Sequence, residues 1–220
     1  MPAAARKPAL VIFDLDGTLV DSEPLANRVF YEKLVAQGLD AAIDEARVTK
    51  DFTGLSLQSC FKHAREVYGL TLPVDFRDAL QAETYARMRR ELQPIPGVPA
   101  LLAGLTLPRC VASSSELEKI ALSLELTDLG RHFGPHIFSA EQVARGKPEP
   151  DLFFHAASQM GVAPDRCLVV EDSLPGATAG IRAGMVVQAY RPEPSDADQA
   201  FIALGCHILR DMTELAKMLR

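Results

Sequence analysis

The sequence predicts an α/β protein, with a parallel sheet covered on both faces and a helical segment inserted after the first strand. Three observations carry this. Short apolar runs alternate along the chain with segments of helical periodicity. The first run, ALVIF at Ala9–Phe13, is continuous rather than alternating, as in strands buried on both faces. Between Glu23 and Leu92 the alternation stops, and no run there reads as a strand.

Strands are predicted at Pro8–Phe13, Arg109–Ala112, Cys167–Val170 and Met185–Tyr190, with a weaker one at His207–Leu209. Helical patterns lie between them at Glu116–Glu125, Pro150–Met160, Leu174–Ala183 and Asp211–Leu219. That order implies βαβ units and a parallel sheet. In the insert, apolar residues recur at helical spacing, first Val29, Phe30, Leu34 and Val35, then Phe61, Ala64, Val67 and Tyr68. Asp75–Leu92 is a third helical candidate, closed by Pro94-Ile95-Pro96-Gly97. The expected division is a sheet domain of residues 1–20 and 95–220 and a helical domain of residues 21–94. Arg191-Pro-Glu-Pro-Ser reads as a loop.

Composition bounds the function. Of 220 residues, 48% are hydrophobic and 24% charged, which suffices for a packed core. A net charge of -6 argues against a nucleic-acid surface, which needs clustered Lys and Arg, but a few local cations or a metal can still admit an anionic substrate. Cys60, Cys110, Cys167 and Cys206 have no paired spacing, so they are expected as buried thiols rather than a zinc or redox motif. Nothing approaches the length of a membrane span, and Met1–Pro8 lacks an apolar targeting core. The expectation is a cytoplasmic monomer that binds neither nucleic acid nor membrane.

The chemistry gathers at strand ends. Phe13-Asp14-Leu15-Asp16-Gly17-Thr18 follows the first strand, where open α/β sheets bind ligands. Asp14 and Asp16 lie two apart on extended chain and can project into one crevice. Carboxylates so close need a cation or a shared proton, and a hard divalent ion such as Mg²⁺ suits oxygen donors. Gly17 permits a tight turn and close backbone approach to an anion. Ser113, Ser114 and Ser115 follow the second strand. Ser113 can bond a phosphate oxygen, while Ser114 or Ser115 with Glu118 can form a helix-capping box. Lys147, between Gly146 and Pro148, has a restricted backbone suited to a fixed charge clamp. Leu168-Val169-Val170-Glu171-Asp172 ends another strand in two further metal-ligand candidates.

In this order, D-x-D-G-T, strand-Ser, Lys-Pro and strand-Glu-Asp resemble the haloacid dehalogenase-like hydrolase superfamily, over Pro8 to about Tyr190. The long gap from Asp14 to Ser113 is similar to the subgroup with a helical cap after the first motif. The resemblance implies a Rossmann-like core with a mobile lid. Within the superfamily, the chain looks most like the phosphosugar phosphatases of the β-phosphoglucomutase-like branch, which includes bacterial 6-phosphogluconate phosphatases. It implies that Asp14 attacks phosphorus and Asp16 serves as acid and then base. The resemblance further implies that Ser113, Ser114 and Lys147 hold the phosphoryl group, and that Mg²⁺ binds Asp14, the backbone carbonyl of Asp16 and Asp172, with Glu171 acting directly or through water.

Other branches fit less well. Dehalogenases lack an acid at the position of Asp16. Phosphonatases use a cap lysine, and Lys33, Lys50 and Lys62 stand in no familiar pattern. Mutases carry a cap-entry histidine where Ala26 stands, and a substrate-loop arginine aligned near Leu57 in Thr53-Gly-Leu-Ser-Leu57. A β-phosphoglucomutase-type mutase is therefore the first alternative. The second, a non-catalytic phosphometabolite-binding protein, should lack Asp14, Asp16 or Lys147, and all three are present. Specificity is expected from Thr53–Gln58 and from Asp75–Arg90, whose Arg77, Arg87, Arg89 and Arg90 could read a second anionic group.

Overall fold

A computed structural model describes residues 7–52 and 57–219. The chain forms two compact units, one from Met1–Asp21 with Gln93–Arg220, the other from Ser22–Leu92.

The first unit opens with β1 (Leu10–Phe13), all four residues buried. The second unit follows with α1 (Glu23–Ala36), α2 (Glu45–Phe52), α3 (Leu57–Glu66) and α4 (Phe76–Glu91). The first unit then resumes with α5 (Val98–Gly104), β2 (Arg109–Ser113), α6 (Leu117–Leu126), β3 (Ile137–Ser139) and α7 (Asp151–Gln159). It ends with β4 (Cys167–Glu171), α8 (Leu174–Arg182), β5 (Val186–Tyr190), α9 (Asp198–Ala203), β6 (His207–Leu209) and α10 (Met212–Met218). Among these elements, α2, β3, α5 and α9 lie outside the sequence expectation. All four are short, and β3 offers only Ile137 and Phe138 as an apolar signal.

The six strands are parallel in the order β3-β2-β1-β4-β5-β6. In β1, Leu10 and Ile12 point to one face, where Leu152, Phe153 and Ala156 of α7, Ala177 of α8 and Phe201 of α9 complete a buried cluster. Phe13 points to the other face and meets the edge of Phe133 at 6.1 Å. Each such side chain, fully buried, contributes roughly 1.5–3 kcal/mol relative to exposure. Helix α8 buries Gly176, Ala177, Ala179 and Gly180, small residues that let it lie close on the sheet. A Cβ at Gly180 would stand 2.7 Å from Val187 Cγ2. Arg109 donates to the carbonyls of Leu102 and Leu105, at 2.5 Å each, and so satisfies the C-terminal end of α5.

The helical unit has its own core of Val29, Phe30, Leu34, Phe52, Ala64, Phe76 and Leu80. Phe30 is central, with ring centroids 5.0 Å from Phe52 and 6.4 Å from Phe76. Val35 and Val67, expected on the apolar faces, are exposed instead. The four cysteines are buried thiols. Among the described residues, no helix is long and apolar enough to cross a membrane.

Candidate active site

Asp14 is the first residue beyond β1, and its N–H extends the ladder by donating to Val170 O at 2.9 Å. Connections leave β1 and β4 towards opposite edges of the sheet, so a crevice opens at their C-terminal ends. Past Asp14 the chain turns sharply. The N–H groups of Leu19 and Val20 both donate to Leu15 O, and these three side chains are buried. Gly17 sits at φ 74°, and a Cβ there would lie 2.3 Å from Asp172 Oδ2. Both the turn and the approach of Asp172 therefore require glycine.

Lys147 joins three elements. Its ammonium donates to Asp14 Oδ1 at 2.5 Å, to Glu171 Oε1 at 2.7 Å and to the carbonyl of Ala112 at 3.0 Å. Its side chain is only 4% exposed, with Nζ 5.2 Å from the centre of the Phe153 ring. Lys147 is thus a buried clamp whose three donors are all used. Glu171 is buried too, and its other oxygen accepts from the N–H and hydroxyl of Ser173, both at 2.9 Å. Thr18 donates to Asp172 Oδ1 at 3.2 Å.

Burial pushes the Asp14 carboxyl up to about 8, against the pull of Lys147, with the carboxylates of Glu171 and Asp16 adding to the rise. Burial works against the Lys147 ammonium as well, but Asp14 and Glu171 outweigh it and hold its pKa above the ordinary lysine value. Asp14, Glu171 and Asp172 each present a carboxylate oxygen, and these lie within 4.8 Å of one another. Three carboxylates against one ammonium leave the cluster short of positive charge. An oxygen-only donor set of this kind fits a hard divalent cation such as Mg²⁺.

The Asp16 side chain has partners of its own. Its Oδ1 accepts from Lys119 Nζ at 2.8 Å and its Oδ2 from the Ser115 hydroxyl at 2.6 Å. The capping box expected at α6 is absent. Glu116 occupies the N-cap without a side-chain cap, and Glu141 Oε2 accepts the Leu117 N–H at 2.8 Å instead. Ser115 is drawn to Asp16, while Ser114 is exposed just beyond the strand. Ser113 is buried at the end of β2, its Oγ accepting the Ser115 N–H at 3.1 Å.

Asp14, Lys147, Glu171 and Asp172 therefore converge directly, with Ser113 at the end of the neighbouring strand. Lys119, Ser115, Thr18 and Ser173 are further members of the site. Ser173 directly follows the Glu171-Asp172 pair and Thr18 closes D-x-D-G-T, whereas Lys119, 103 residues from Asp16, has no local signal. Among the arginines considered for specificity, Arg87 is held within the helical unit, bonding Glu32 at 2.8 Å and flanked by Glu83 and Glu91. Residues 53–56 of the expected specificity loop lie outside the described residues.

A family model described as haloacid dehalogenase-like hydrolase matches residues 8–184. The chain is 35% identical over 185 residues to the 6-phosphogluconate phosphatase of Escherichia coli K12, covering 84% of this chain and 83% of that protein. It is also similar to a HAD family hydrolase from Deinococcus radiodurans, solved with bound phosphate and sodium, at 33% identity and a TM-score of 0.81, covering 96% and 94% of the two chains. A β-phosphoglucomutase homologue from Thermotoga maritima shares the fold at 23% identity, with a TM-score of 0.81 over 96% of this chain and 97% of that one.

Proposed function

The chain belongs to the haloacid dehalogenase-like hydrolases, and from that membership we propose that it is a Mg²⁺-dependent phosphatase of small sugar or sugar-acid phosphate monoesters, acting through an aspartyl-phosphate on Asp14. The observation that carries the reading is the buried bridge from Asp14 through Lys147 to Glu171, with Asp172 in reach, at the C-terminal edge of the central strands.

An Asp14 oxygen attacks phosphorus, and the bond from phosphorus to the leaving oxygen breaks. Asp16 gives its proton to that oxygen and then takes one from the water that attacks the aspartyl-phosphate, releasing inorganic phosphate and restoring Asp14. Lys147, Ser113 and the backbone of the turn at Ser114 hold the phosphoryl oxygens during both transfers. When held by Asp14, Asp172, the Asp16 carbonyl and Glu171, directly or through water, Mg²⁺ supplies the positive charge that lets a carboxylate approach a phosphate dianion. The raised Asp14 carboxyl has the same need, since only its ionised form is a nucleophile.

The test is a panel of phosphate esters assayed with Mg²⁺ and after chelation, with mass analysis of rapidly quenched Asp16→Ala protein. Phosphate release should require the metal, and Asp16→Ala should accumulate a phosphorylated protein from an aryl phosphate whose leaving group needs no proton. Full turnover in chelator, or no phosphorylated species in the variant, overturns the metal or the covalent step respectively.

A further inference from the structure

Lys119 is a cation at this sheet edge that phosphoryl binding leaves unassigned. It lies in the first turn of α6, where the helix macrodipole disfavours positive charge. A partner must offset that, and the partner is Asp16. Lys119 Nζ donates to Asp16 Oδ1 at 2.8 Å and to Ser115 Oγ at 3.2 Å, while Ser115 Oγ donates to Asp16 Oδ2 at 2.6 Å. Each Asp16 oxygen thus has its own donor. The Lys119 and Asp16 side chains are 25% and 23% exposed, well short of the solvated surface pairs that contribute little.

The frame behind them is cross-bonded. The Ser115 N–H donates to Ser113 Oγ at 3.1 Å, and the Ser115 carbonyl accepts from the buried Ser139 hydroxyl at 2.7 Å. Glu141 holds the first N–H of α6, and its own N–H donates to Ser139 Oγ at 3.1 Å. Strand β3 and the turn after it therefore fix both residues that grip Asp16.

We propose that Lys119 and Ser115 are positioning residues that fix which oxygen of Asp16 carries the catalytic proton. The inference rests on Asp16 being the acid/base of the proposed function. An ammonium has donors only, so it holds Oδ1 as an acceptor throughout the cycle. A serine hydroxyl both donates and accepts, so Oδ2 can carry the proton without losing its partner. From Oδ2 the proton passes to the leaving oxygen as its bond to phosphorus breaks, and Oδ2 later receives the proton of the attacking water.

Two substrate classes separate this role from a structural one. For an alkyl phosphate such as 6-phosphogluconate or glycerol 2-phosphate, the leaving oxygen needs the proton, whereas for p-nitrophenyl phosphate it does not. Lys119→Met should lower kcat/KM for the alkyl phosphates by about tenfold to a hundredfold, within the range of a general acid, and for p-nitrophenyl phosphate by less than about threefold. Lys119→Arg should restore most of the loss. Ser115→Ala, a smaller change that spares the helix, should show the same split. On an Asp16→Ala background, Lys119→Met should add nothing, because its effect passes through the missing carboxylate. Equal losses on both substrate classes, or an additive loss without Asp16, overturn the inference. Asp16→Ala alone tests the underlying assignment, since an unchanged alkyl-phosphate rate there removes the acid/base role whatever Lys119 does.

Discussion

As the proposed nucleophile, Asp14 bears opposing demands: it must be buried to react away from water, and it must be charged to react at all. Burial has the larger effect and lifts its carboxyl to about 8 from an ordinary value of 3.8. Between those values the folded protein holds a proton that the unfolded chain has released. Stability of the metal-free protein contributed by this group is therefore greatest near pH 4, falls as the pH rises towards 8 and levels off above it. Asp14→Asn removes that titration. In chelator, the urea midpoint of the parent should decline more between pH 5 and pH 8 than that of Asp14→Asn, and Mg²⁺ should flatten the parent's decline. Parallel curves for the two proteins would show that the burial of Asp14 carries no such cost.

At the level of elements, the site depends on how closely α8 lies against β4. A Cβ on Gly176 would stand 1.7 Å from Glu171 Oε1, the oxygen that Lys147 grips. Alanine ordinarily favours a helix over glycine by about 1 kcal/mol, but overpacking a buried site costs typically about 1–3 kcal/mol, and here the displaced group is a carboxylate with both oxygens bonded. Gly176→Ala should lower stability by about 1–2 kcal/mol in urea titrations and reduce turnover, because moving Glu171 moves the Lys147 clamp. A variant as stable and active as the parent would mean that the helix can shift without disturbing the site. This closeness also marks the boundary of what the sequence discloses. Apolar runs and their spacing announce β1, β2, β4, β5 and β6, because each run is short and flanked by a helix-length segment. They do not announce β3, whose three residues form an edge, or α5, which hides behind the Pro-Gly turn that ends α4. Acids at strand ends are visible since their chemistry is unusual there. Lys119 reads as one more charge on a helix, and only the fold brings it to a partner from the start of the chain.

Across the whole molecule, the remaining choice lies between releasing phosphate and moving it within a sugar. A mutase must keep its phosphorylated aspartate from water while a bisphosphate turns round. The two positions where such enzymes carry a histidine and an arginine are here Ala26, in the first turn of α1, and Leu57, at the start of α3 and 43% exposed. A methyl group and an isobutyl group offer no hydrogen bond with which to delay water. β-Glucose 1-phosphate, primed with a trace of glucose 1,6-bisphosphate, should therefore yield free phosphate and little glucose 6-phosphate when both products are followed. Glucose 6-phosphate formed much faster than phosphate would make the enzyme a mutase and leave the proposed Asp14 nucleophile in place. The order of the strands also bears on how the molecule is made. Asp14 belongs to the first strand, yet the neighbours of that strand are β2 and β4, which begin at Arg109 and Cys167. Ser22–Leu92, by contrast, is contiguous. During synthesis the helical unit can make every one of its internal contacts before either neighbour of β1 exists, so the apolar ALVIF strand must wait on the ribosome for most of the chain. Asp14, the proposed nucleophile, is among the first residues made and among the last to be placed.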